Sequence, residues 1–191
     1  MTAERFSSTP RGRRARRGFF DRAAPGLARA LLGATVTVRS GDGAVRSVRI
    51  VEVEAYVRGD PASHAYRGPT RRNRSMFSRP GTLYVYRIHQ VVCANLVARR
   101  GEAVLLRAGA AEGVPPREAS GPGRLCRFLG ITIADDGTDV VDGGRVELRL
   151  PPVARRSIRT GPRVGIRKAV DRPLRFALAD EPAVSRPRLR A

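Results

Sequence analysis

Alternating apolar and polar positions predict a series of short β-strands. Residues 34–39 alternate as one strand, and Ser-Gly-Asp-Gly at 40–43 is a typical hairpin turn before a return strand at 45–56. Residues 82–98 are predicted to form one or two further strands. The remaining strands are predicted at 103–107, 146–150, 163–166 and 174–178.

Two short helices interrupt the predicted strands. Pro25 can open a helix that presents leucines on one face and ends at Gly33. Ser120 can cap a second helix over 122–129, with Gly130 as its stop. The segments predicted to be loops are 58–81, 109–119 and 135–144. The last of these is acidic and rich in glycine, but it lacks the offsets of a calcium-binding loop, so it is predicted to be a surface turn.

The length of 191 residues favours a single domain with two polar flanks. Residues 1–18 are rich in Arg, Ser and Gly and are predicted to form a disordered basic arm. Residues 19–180 are predicted to fold, and 181–191 to form a polar tail. The arginine-rich start lacks the apolar core of an export signal, and no run of 18 apolar residues occurs, so no membrane partner is expected.

The charge of the chain indicates a polyanionic partner. Lysine and arginine number 37 against 17 acidic residues, a formal net charge of +20. A domain this basic repels itself unless it binds a polyanion, and nucleic acid is a stronger candidate than an acidic membrane surface. The arm 1–18 is then either a solvated tail or a segment that follows DNA. Cys93 and Cys126 stand in apolar surroundings and are expected to be reduced core residues of an intracellular protein.

Carboxylates in the predicted strand 45–56 are the first candidates for chemistry. If the strand is regular, Glu52, Glu54 and Tyr56 share one face with Val48 and Ile50, since side chains alternate. A glutamate in a strand most often lies on the wet face, and spacing alone leaves that interpretation open. An aromatic ring about 7 Å from Glu54 on the same face favours a site instead.

Tyrosines and histidines concentrate near these carboxylates. Tyr84 and Tyr86 are again two residues apart, although tyrosine pairs in strands are often only packing. Rings gathered near a carboxylate in a basic chain favour stacking of a base in a pocket. Hydrolysis of a base from its sugar needs such a slot, a general base for water and a phosphate-binding surround. His64 and His89 show no metal-ligand spacing, so no metal is expected.

Eight segments occur in the order of one known family. They are Ile50–Tyr56, Asp60–Gly68, Arg72–Phe77, Pro80–Tyr86, Val104–Ala108, Gly121–Cys126, Pro162–Ile166 and Arg172–Phe176. Together they resemble the alkyladenine (3-methyladenine) DNA glycosylase family over roughly 19–178. The resemblance implies an α/β (α+β) fold, a single domain with a curved antiparallel sheet, short helices and a protruding β-hairpin that enters the DNA minor groove.

The resemblance also implies an activity. Members of the family excise alkylated or deaminated purines, such as 3-methyladenine, 7-methylguanine, hypoxanthine and ethenoadenine, and need no metal or organic cofactor. By position, Glu54 matches the general base that activates water for attack on the sugar C1′, and Arg107 matches the arginine that holds Glu54 and the water. Val164 falls where a main-chain carbonyl of the family also holds that water. The single lysine, Lys168, lies outside the pocket segments, which favours a monofunctional enzyme that leaves an abasic site.

Further residues match the base pocket of the family. Tyr56 and Tyr86 match the rings that sandwich the flipped base, with His64 on the other side of the slot and Tyr84 beside them. Asn95 matches the residue that crowds the amino group of normal guanine.

The chain departs from the family at the wedge that fills the gap left by the flipped base. His89 stands where the family usually has a tyrosine, and the segment up to Asn95 is one residue shorter. Contacts to the DNA backbone are expected from a set of arginines, which could also be solvated charges: Arg67, Arg71, Arg72, Arg74, Arg79 and Arg124.

The expected partner is double-stranded DNA that contains a damaged purine. The resemblance implies a monomer, and the expected location is cytoplasmic and nucleoid-associated, in a bacterial source. The alternative is a protein that binds nucleic acid on the same fold without catalysis, and the altered wedge keeps that alternative open.

Overall fold

The strand β3 (Val45–Tyr56) is central to the fold in the computed structural model, which describes residues 12–151 and 156–189. The first part of β3 pairs antiparallel with β2 (Thr35–Arg39), and Glu52–Glu54 pair with β9 (Arg175–Leu178). From Arg49 onward, β3 also pairs with β6 (Ala103–Ala110). The backbone that carries the two glutamates is therefore hydrogen-bonded to a neighbouring strand on both sides.

Nine strands of the described residues form one curved antiparallel sheet. Their order is β1-β7-β2-β3-β6-β5-β4, with β9 beside β3 and β8 beside β9. The strands not yet given are β1 (Arg13–Arg14), β4 (Leu83–Ile88), β5 (Val91–Val97), β7 (Val146–Leu150) and β8 (Ile158–Gly161). β4 and β5 form a hairpin at the end of the sheet.

The helices are short. They are α1 (Arg17–Phe20), α2 (Ala24–Leu31) and α3 (Pro122–Leu129), with 3₁₀ turns at Arg74–Phe77, Pro116–Ala119 and Ile133–Asp135. None of the helices that the structure describes has the length and apolar character needed to cross a membrane.

One main core lies between α2, α3 and the sheet. Its buried members include Leu27, Leu31, Ile50, Val53, Leu125, Leu129 and Phe176. Gly109 lets α3 approach the sheet, because a Cβ there would lie 2.6 Å from Cβ of Val48 and 3.2 Å from Leu125. Cys93 and Cys126 are buried and unbridged. Burial of the apolar side chains in this layer supplies the main driving force for folding.

The predicted fold class is confirmed: the chain forms one α+β domain with a curved antiparallel sheet and short helices. The local predictions at 163–166 and at Ser120 are wrong. Residues 163–166 are not a strand, because Arg163 and Val164 direct their hydrogen bonds toward β3 and the loop that follows it. Ser120 does not cap α3, because Gly121 occupies the cap position with a φ of 104° and no side chain caps the helix.

Both predicted flanks are ordered where the structure describes them. Arg13–Arg14 pairs with β7, and α1 begins at Arg17, so the predicted disordered arm does not hold for these residues. The rest of that arm, residues 1–11, lies outside the described residues. The predicted polar tail is wrong for Ala183–Ser185, which are at most 8% exposed. Ala183 and Val184 pack in a small cluster with Val51, which explains their burial.

Candidate active site

A β-bulge in β3 places the two glutamates opposite the main core. The register with β6 shifts on both sides of Glu52, so that Ile50 and Val53 both face the main core. Val51 packs instead with the cluster on the other side. The predicted grouping of Val48 and Ile50 with Glu52 and Glu54 is therefore wrong, because the extra residue of a bulge inverts the alternation that follows it.

Glu52 is fully buried and accepts four hydrogen bonds. Its Oε1 accepts from Nε of Arg175 at 2.7 Å, from Nε of Arg107 at 2.9 Å and from the Ser185 hydroxyl at 3.0 Å. Its Oε2 accepts from the Ser185 backbone N–H at 2.6 Å. The expectation of a wet face is wrong here, because two guanidiniums and a serine replace the water that this carboxylate loses on burial.

Glu54 is also fully buried but has a different set of partners. Its Oε1 accepts from the Val164 backbone N–H at 2.7 Å and lies 3.1 Å from NH1 of Arg107. Its Oε2 accepts from the Tyr56 hydroxyl at 3.0 Å. Burial raises the pKa of Glu54 above its ordinary value of 4.5, and Arg107, the Val164 N–H and Tyr56 only partly oppose that rise. This carboxylate therefore has an increased affinity for a proton.

Arg107 lies between the two carboxylates and is 6% exposed. Besides its contacts to Glu52 and Glu54, its NH2 donates to the Ser185 hydroxyl at 3.2 Å. Burial alone would lower the pKa of this guanidinium, but the two carboxylates together raise it. Arg107 is therefore charged, and its charge acts on Glu54.

The predicted pocket tyrosines lie in one aromatic cluster on the Glu54 side of the sheet. Tyr84 is buried there with Met76, and Tyr56 and Tyr86 pack against it. The ring centroids of Tyr84 and Tyr86 are 5.5 Å apart, and those of His64 and Tyr86 are 4.5 Å apart with an interplanar angle of 69°. A base stacked between two rings needs roughly 7 Å between them. The contact of His64 with Tyr86 therefore leaves no space for a base between these two rings.

Hydrogen bonds hold the rings of this cluster. His64 Nδ1 lies 2.8 Å from the Tyr84 hydroxyl, and Asn95 Nδ2 donates to the Tyr84 carbonyl at 3.0 Å. Burial raises the pKa of Tyr84, so its hydroxyl is neutral and can donate. His64 remains exposed as a residue, but the partial shielding of its ring from water lowers its pKa and favours the neutral form. Asn95, although the segment before it is short, lies opposite Tyr84 and is 3% exposed.

Arg163 supports the pocket from a position that the sequence did not indicate. Its guanidinium lies 4.6 Å from the centroid of the Tyr56 ring, and it donates to the Ala55 carbonyl at 3.1 Å. It also forms a buried, two-point ion pair with Asp60, in which NH2 donates at 3.1 Å. Both residues lie in segments that resemble the family, but nothing in the local sequence of either one indicates that they pair.

Asp136 anchors the strand that carries two of the rings. It accepts from the Val85 backbone N–H at 2.8 Å and from the Ser75 hydroxyl at 2.7 Å. The segment 135–144 is therefore more than a surface turn, since Asp135 also pairs with Arg145 in the same region. Across residues 12–151 and 156–189, no group of three or more His, Cys, Asp or Glu has the geometry of a metal site.

The β4–β5 hairpin ends in an exposed two-residue turn. Ile88 pairs with Val91, which leaves His89 and Gln90 at the tip. His89 has a φ of 51°, a left-handed conformation that a residue with a Cβ adopts at an energetic cost. Ile88 is 51% exposed and Val91 is 41% exposed, so the tip presents an apolar pair on either side of His89. Strain and exposed apolar groups together are typical of a surface that contacts a partner.

The arginines predicted to contact phosphates are exposed. They are Arg67, Arg71, Arg72, Arg74, Arg79 and Arg124. Arg79 differs from the others because it forms ion pairs with Asp139 at 2.7 Å and Asp142 at 3.0 Å. Its charge is partly satisfied within the protein, and it is the weakest candidate of the six for a phosphate contact.

Comparison with known proteins assigns the chain to a family. A model of methylpurine-DNA glycosylases matches residues 18–182, which include both glutamates, Arg107 and the aromatic cluster. A protein of Synechococcus elongatus, provisionally named 3-methyladenine DNA glycosylase, is 43% identical over 82% of this chain and 83% of its own length. Proteins of the same provisional name from Methanoculleus marisnigri and Mycobacterium bovis are 43% and 45% identical, over 88% and 81% of this chain and 96% and 85% of their own lengths. The chain belongs to the methylpurine-DNA glycosylase family.

Proposed function

We propose that this protein is a DNA repair enzyme that hydrolyses the N-glycosidic bond of alkylated or deaminated purines and leaves an abasic site. The observation that carries the proposal is Glu54, a fully buried carboxylate with a raised pKa beside an aromatic cluster. The names of the relatives and the family match support the same class of reaction.

Glu54 acts as the general base. The bond between C1′ and the purine nitrogen breaks, and its electron pair leaves with the base, so that a cationic alkylated purine departs neutral. A neutral purine such as hypoxanthine departs as an anion and takes a proton from solvent. Positive charge develops on the sugar, and a carboxylate stabilises it. Water then bonds to C1′ through its oxygen, and its proton passes to Glu54. Arg107 keeps Glu54 ionised by lowering a pKa that burial raises.

The flipped base binds between Tyr56 and the pair formed by His64 and Tyr86. The close contact of His64 with Tyr86 supports this arrangement, since these two rings leave no space between them. Tyr84 supports the pair through its hydrogen bond to His64. Asn95 is held by the Tyr84 carbonyl and crowds the amino group of guanine, which disfavours the normal base. A charged purine gains further from stacking on tyrosine faces.

The water is held by Glu54, Arg107 and the Val164 carbonyl in the proposed mechanism. The N–H of Val164 already donates to Glu54, which brings this residue to the site. A lyase step would need an amine nucleophile. The single lysine, Lys168, lies outside the pocket segments, which supports hydrolysis without strand cleavage.

DNA binds through the exposed arginines and the hairpin tip. Phosphate contacts by arginine neutralise backbone charge and make affinity depend on salt. His89 fills the gap left by the flipped base, and its exposed position at the tip supports that role. Replacing Arg71 with Gln should weaken binding to all sequences alike and reduce the salt slope by about 1. An unchanged slope would remove Arg71 from the proposed contacts.

Removal of the Glu54 carboxylate tests the proposed reaction. Duplexes that contain hypoxanthine or ethenoadenine are incubated with the protein and then treated with alkali, which breaks the strand at abasic sites. Wild type should produce breaks, and Glu54→Gln should reduce their rate by roughly 10²–10⁴-fold without loss of DNA binding. Glu112→Gln changes an exposed glutamate in the same way and should have no effect. If wild type binds but yields no abasic site on any alkylated duplex, the non-catalytic alternative is correct.

The proposed wedge is tested by comparing two kinds of substrate. His89→Ala should lower excision from duplexes more than excision from single strands, because only a duplex closes behind the flipped base. Gln90→Ala alters the neighbouring tip residue and serves as the matched control. Equal losses on both substrates would rule out His89 as the wedge.

A further inference from the structure

The Arg107 guanidinium is held at two of its nitrogens by groups other than Glu54. Its Nε donates to Glu52 at 2.9 Å, and its NH2 donates to the Ser185 hydroxyl at 3.2 Å. A guanidinium is planar and rigid, so two fixed nitrogens determine where the third one lies. The third, NH1, lies 3.1 Å from Oε1 of Glu54. Glu52 and Ser185 therefore set the orientation of Arg107 toward Glu54.

Ser185 uses all of its polar groups in this network. Its N–H and its hydroxyl donate to Glu52 at 2.6 Å and 3.0 Å, and the hydroxyl also accepts from Arg107. Its carbonyl accepts from NH2 of Arg175 at 3.0 Å. The residue is 5% exposed and lies three positions beyond the part of the chain that the family model matches. A serine in a solvated tail would make none of these contacts.

The charges of the network balance in a particular way. Two carboxylates, Glu52 and Glu54, face two guanidiniums, Arg107 and Arg175. Arg175 lies 2.7 Å from Glu52, and Glu52 is the only carboxylate that it contacts among the described residues. Because Arg175 and Ser185 satisfy Glu52, the charge of Arg107 remains available to Glu54. If Arg175 or Ser185 donated fewer hydrogen bonds to Glu52, Arg107 would be drawn toward Glu52 and away from Glu54.

We infer that Ser185, together with Glu52, is a positioning residue that fixes Arg107 against the general base Glu54. The inference rests on the proposed glycosylase function and extends it to a segment that neither the sequence motifs nor the family match contain. Ser185 does not touch the reacting atoms in this assignment. It acts through Arg107, and its contribution appears in the proton affinity of Glu54 and in the rate of base removal.

The test removes only the hydroxyl of Ser185. Ser185→Ala keeps the backbone N–H bond to Glu52 but loses the bonds of the hydroxyl to Glu52 and Arg107. Single-turnover excision of hypoxanthine from a duplex is measured across a range of pH. Ser47→Ala is the matched control, because it deletes a partly buried hydroxyl that contacts only Thr37, at 2.8 Å, among the described residues.

The expected result has two parts. The excision rate should fall by roughly three- to tenfold at the plateau, which is the effect of one or two lost hydrogen bonds. The acid limb of the profile should move to higher pH, since Arg107 lowers the pKa of Glu54 and its hold is weaker in the variant. The other charged or titratable groups near Glu54 stay in place: Glu52 and Tyr56 on β3, Cys93 on β5, Arg175 on β9 and Arg163. Ser47→Ala should match wild type in both rate and profile.

Two outcomes would overturn the inference. If Ser185→Ala melts at a lower temperature but excises with the rate and the acid limb of wild type, its role is structural. The ¹³C carboxyl resonance of Glu54 gives a second readout that needs no activity, and its titration midpoint should be higher in Ser185→Ala than in wild type. If wild type excises no base, the proposed function fails, and an unchanged Glu54 midpoint in the variant would separately reject the positioning role.

Discussion

The surroundings of Glu52 and Glu54 differ, although the two carboxylates are two residues apart on one strand and equally buried. Glu52 contacts two guanidiniums and receives both the N–H and the hydroxyl of Ser185. Glu54 contacts one guanidinium, one backbone N–H and the Tyr56 hydroxyl. The first set of partners encloses its carboxylate between two guanidiniums and a serine, and the second leaves a carboxylate with a raised pKa.

The donors on Oε2 sharpen this difference. At Glu52 the donor is a backbone N–H, which cannot reverse its role. At Glu54 the donor is a tyrosine hydroxyl, which can rotate and accept a hydrogen bond instead. The Glu54 site can therefore accommodate a protonated acid, in keeping with the raised pKa of Glu54. The raised pKa of Glu54 agrees with its proposed role as the general base.

The largest expected effect is on stability when Glu52 loses its charge. Glu52→Gln places an amide N–H₂ where one of the present donors points and leaves Arg175 without a carboxylate. Removing one partner of a buried ion pair costs roughly 3–5 kcal/mol, which in a chain of this size lowers Tm by about 6–20 °C. Glu54→Gln should cost roughly 1 kcal/mol or less, because Tyr56 can reverse its hydrogen bond.

Thermal unfolding of the two variants checks this contrast. Wild type, Glu52→Gln and Glu54→Gln are compared at one pH and protein concentration, with Glu112→Gln as the exposed control. Equal losses of stability in the two buried variants would mean that the two sites are energetically alike, which would contradict the difference expected between Glu52 and Glu54.

A smaller effect is expected when Glu54 loses only the Tyr56 hydroxyl. Tyr56→Phe keeps the ring that is proposed to stack on the base but removes a donor that lowers the pKa of Glu54. The acid limb of excision should move to higher pH, and the plateau rate should fall by roughly two- to tenfold. Tyr66→Phe is the control, since Tyr66 is 52% exposed. Loss of excision with no change in the acid limb would show that the hydroxyl does not act through Glu54.

The smallest effect concerns the pH dependence of stability. A carboxyl whose pKa is raised in the folded state binds its proton more tightly there than in the unfolded chain. Near and below pH 4.5, the ordinary value for Glu, Glu54 costs the folded state little. As pH rises from 4.5 through the raised folded pKa, the unfolded state ionises first and wild type loses stability relative to Glu54→Gln.

Denaturant unfolding at several pH values measures this difference. The free energy of unfolding of Glu54→Gln minus that of wild type should grow across this window and level off above it. A difference that shrinks with rising pH would mean that the pKa of Glu54 is lowered in the folded state.

Much of the fold was predictable because it depends on local patterns. The hairpin of β2 and β3, the helix that ends just before Gly33 and the helix that stops at Gly130 follow from alternation and glycine positions. Gly130 has a φ of 72°, as a left-handed stop requires. The segments that resemble the family also contain every predicted pocket ring, and the structure brings Tyr56, His64, Tyr84 and Tyr86 together. Their roles in binding a base remain predictions.

The bulge in β3 could not be predicted from alternation. Ile50, Val51 and Val53 are all apolar, so each of them could lie on either face of β3. Only the pairing of β3 with β6 and β9 determines which of them faces the helices. The contacts of Ser185 could not be predicted from the sequence for a similar reason. Charged residues and prolines on both sides of the short segment Ala183–Ser185 locally favour a tail, and the partners of the Ser185 hydroxyl are 78 and 133 residues away in sequence.

The sequence by itself determined the family and the fold class, and it supplied Glu54, Arg107 and the clustered rings as candidates for the site. Alternation, glycine positions and ordered motifs are properties of short segments, and they persist when the rest of the chain is unknown. The tertiary structure decided that Glu54 carries a raised pKa and that Glu52 is enclosed by two guanidiniums and Ser185. That difference arises from distant donors, because the proton affinity of a buried carboxylate depends on the cations and N–H groups that surround it in space.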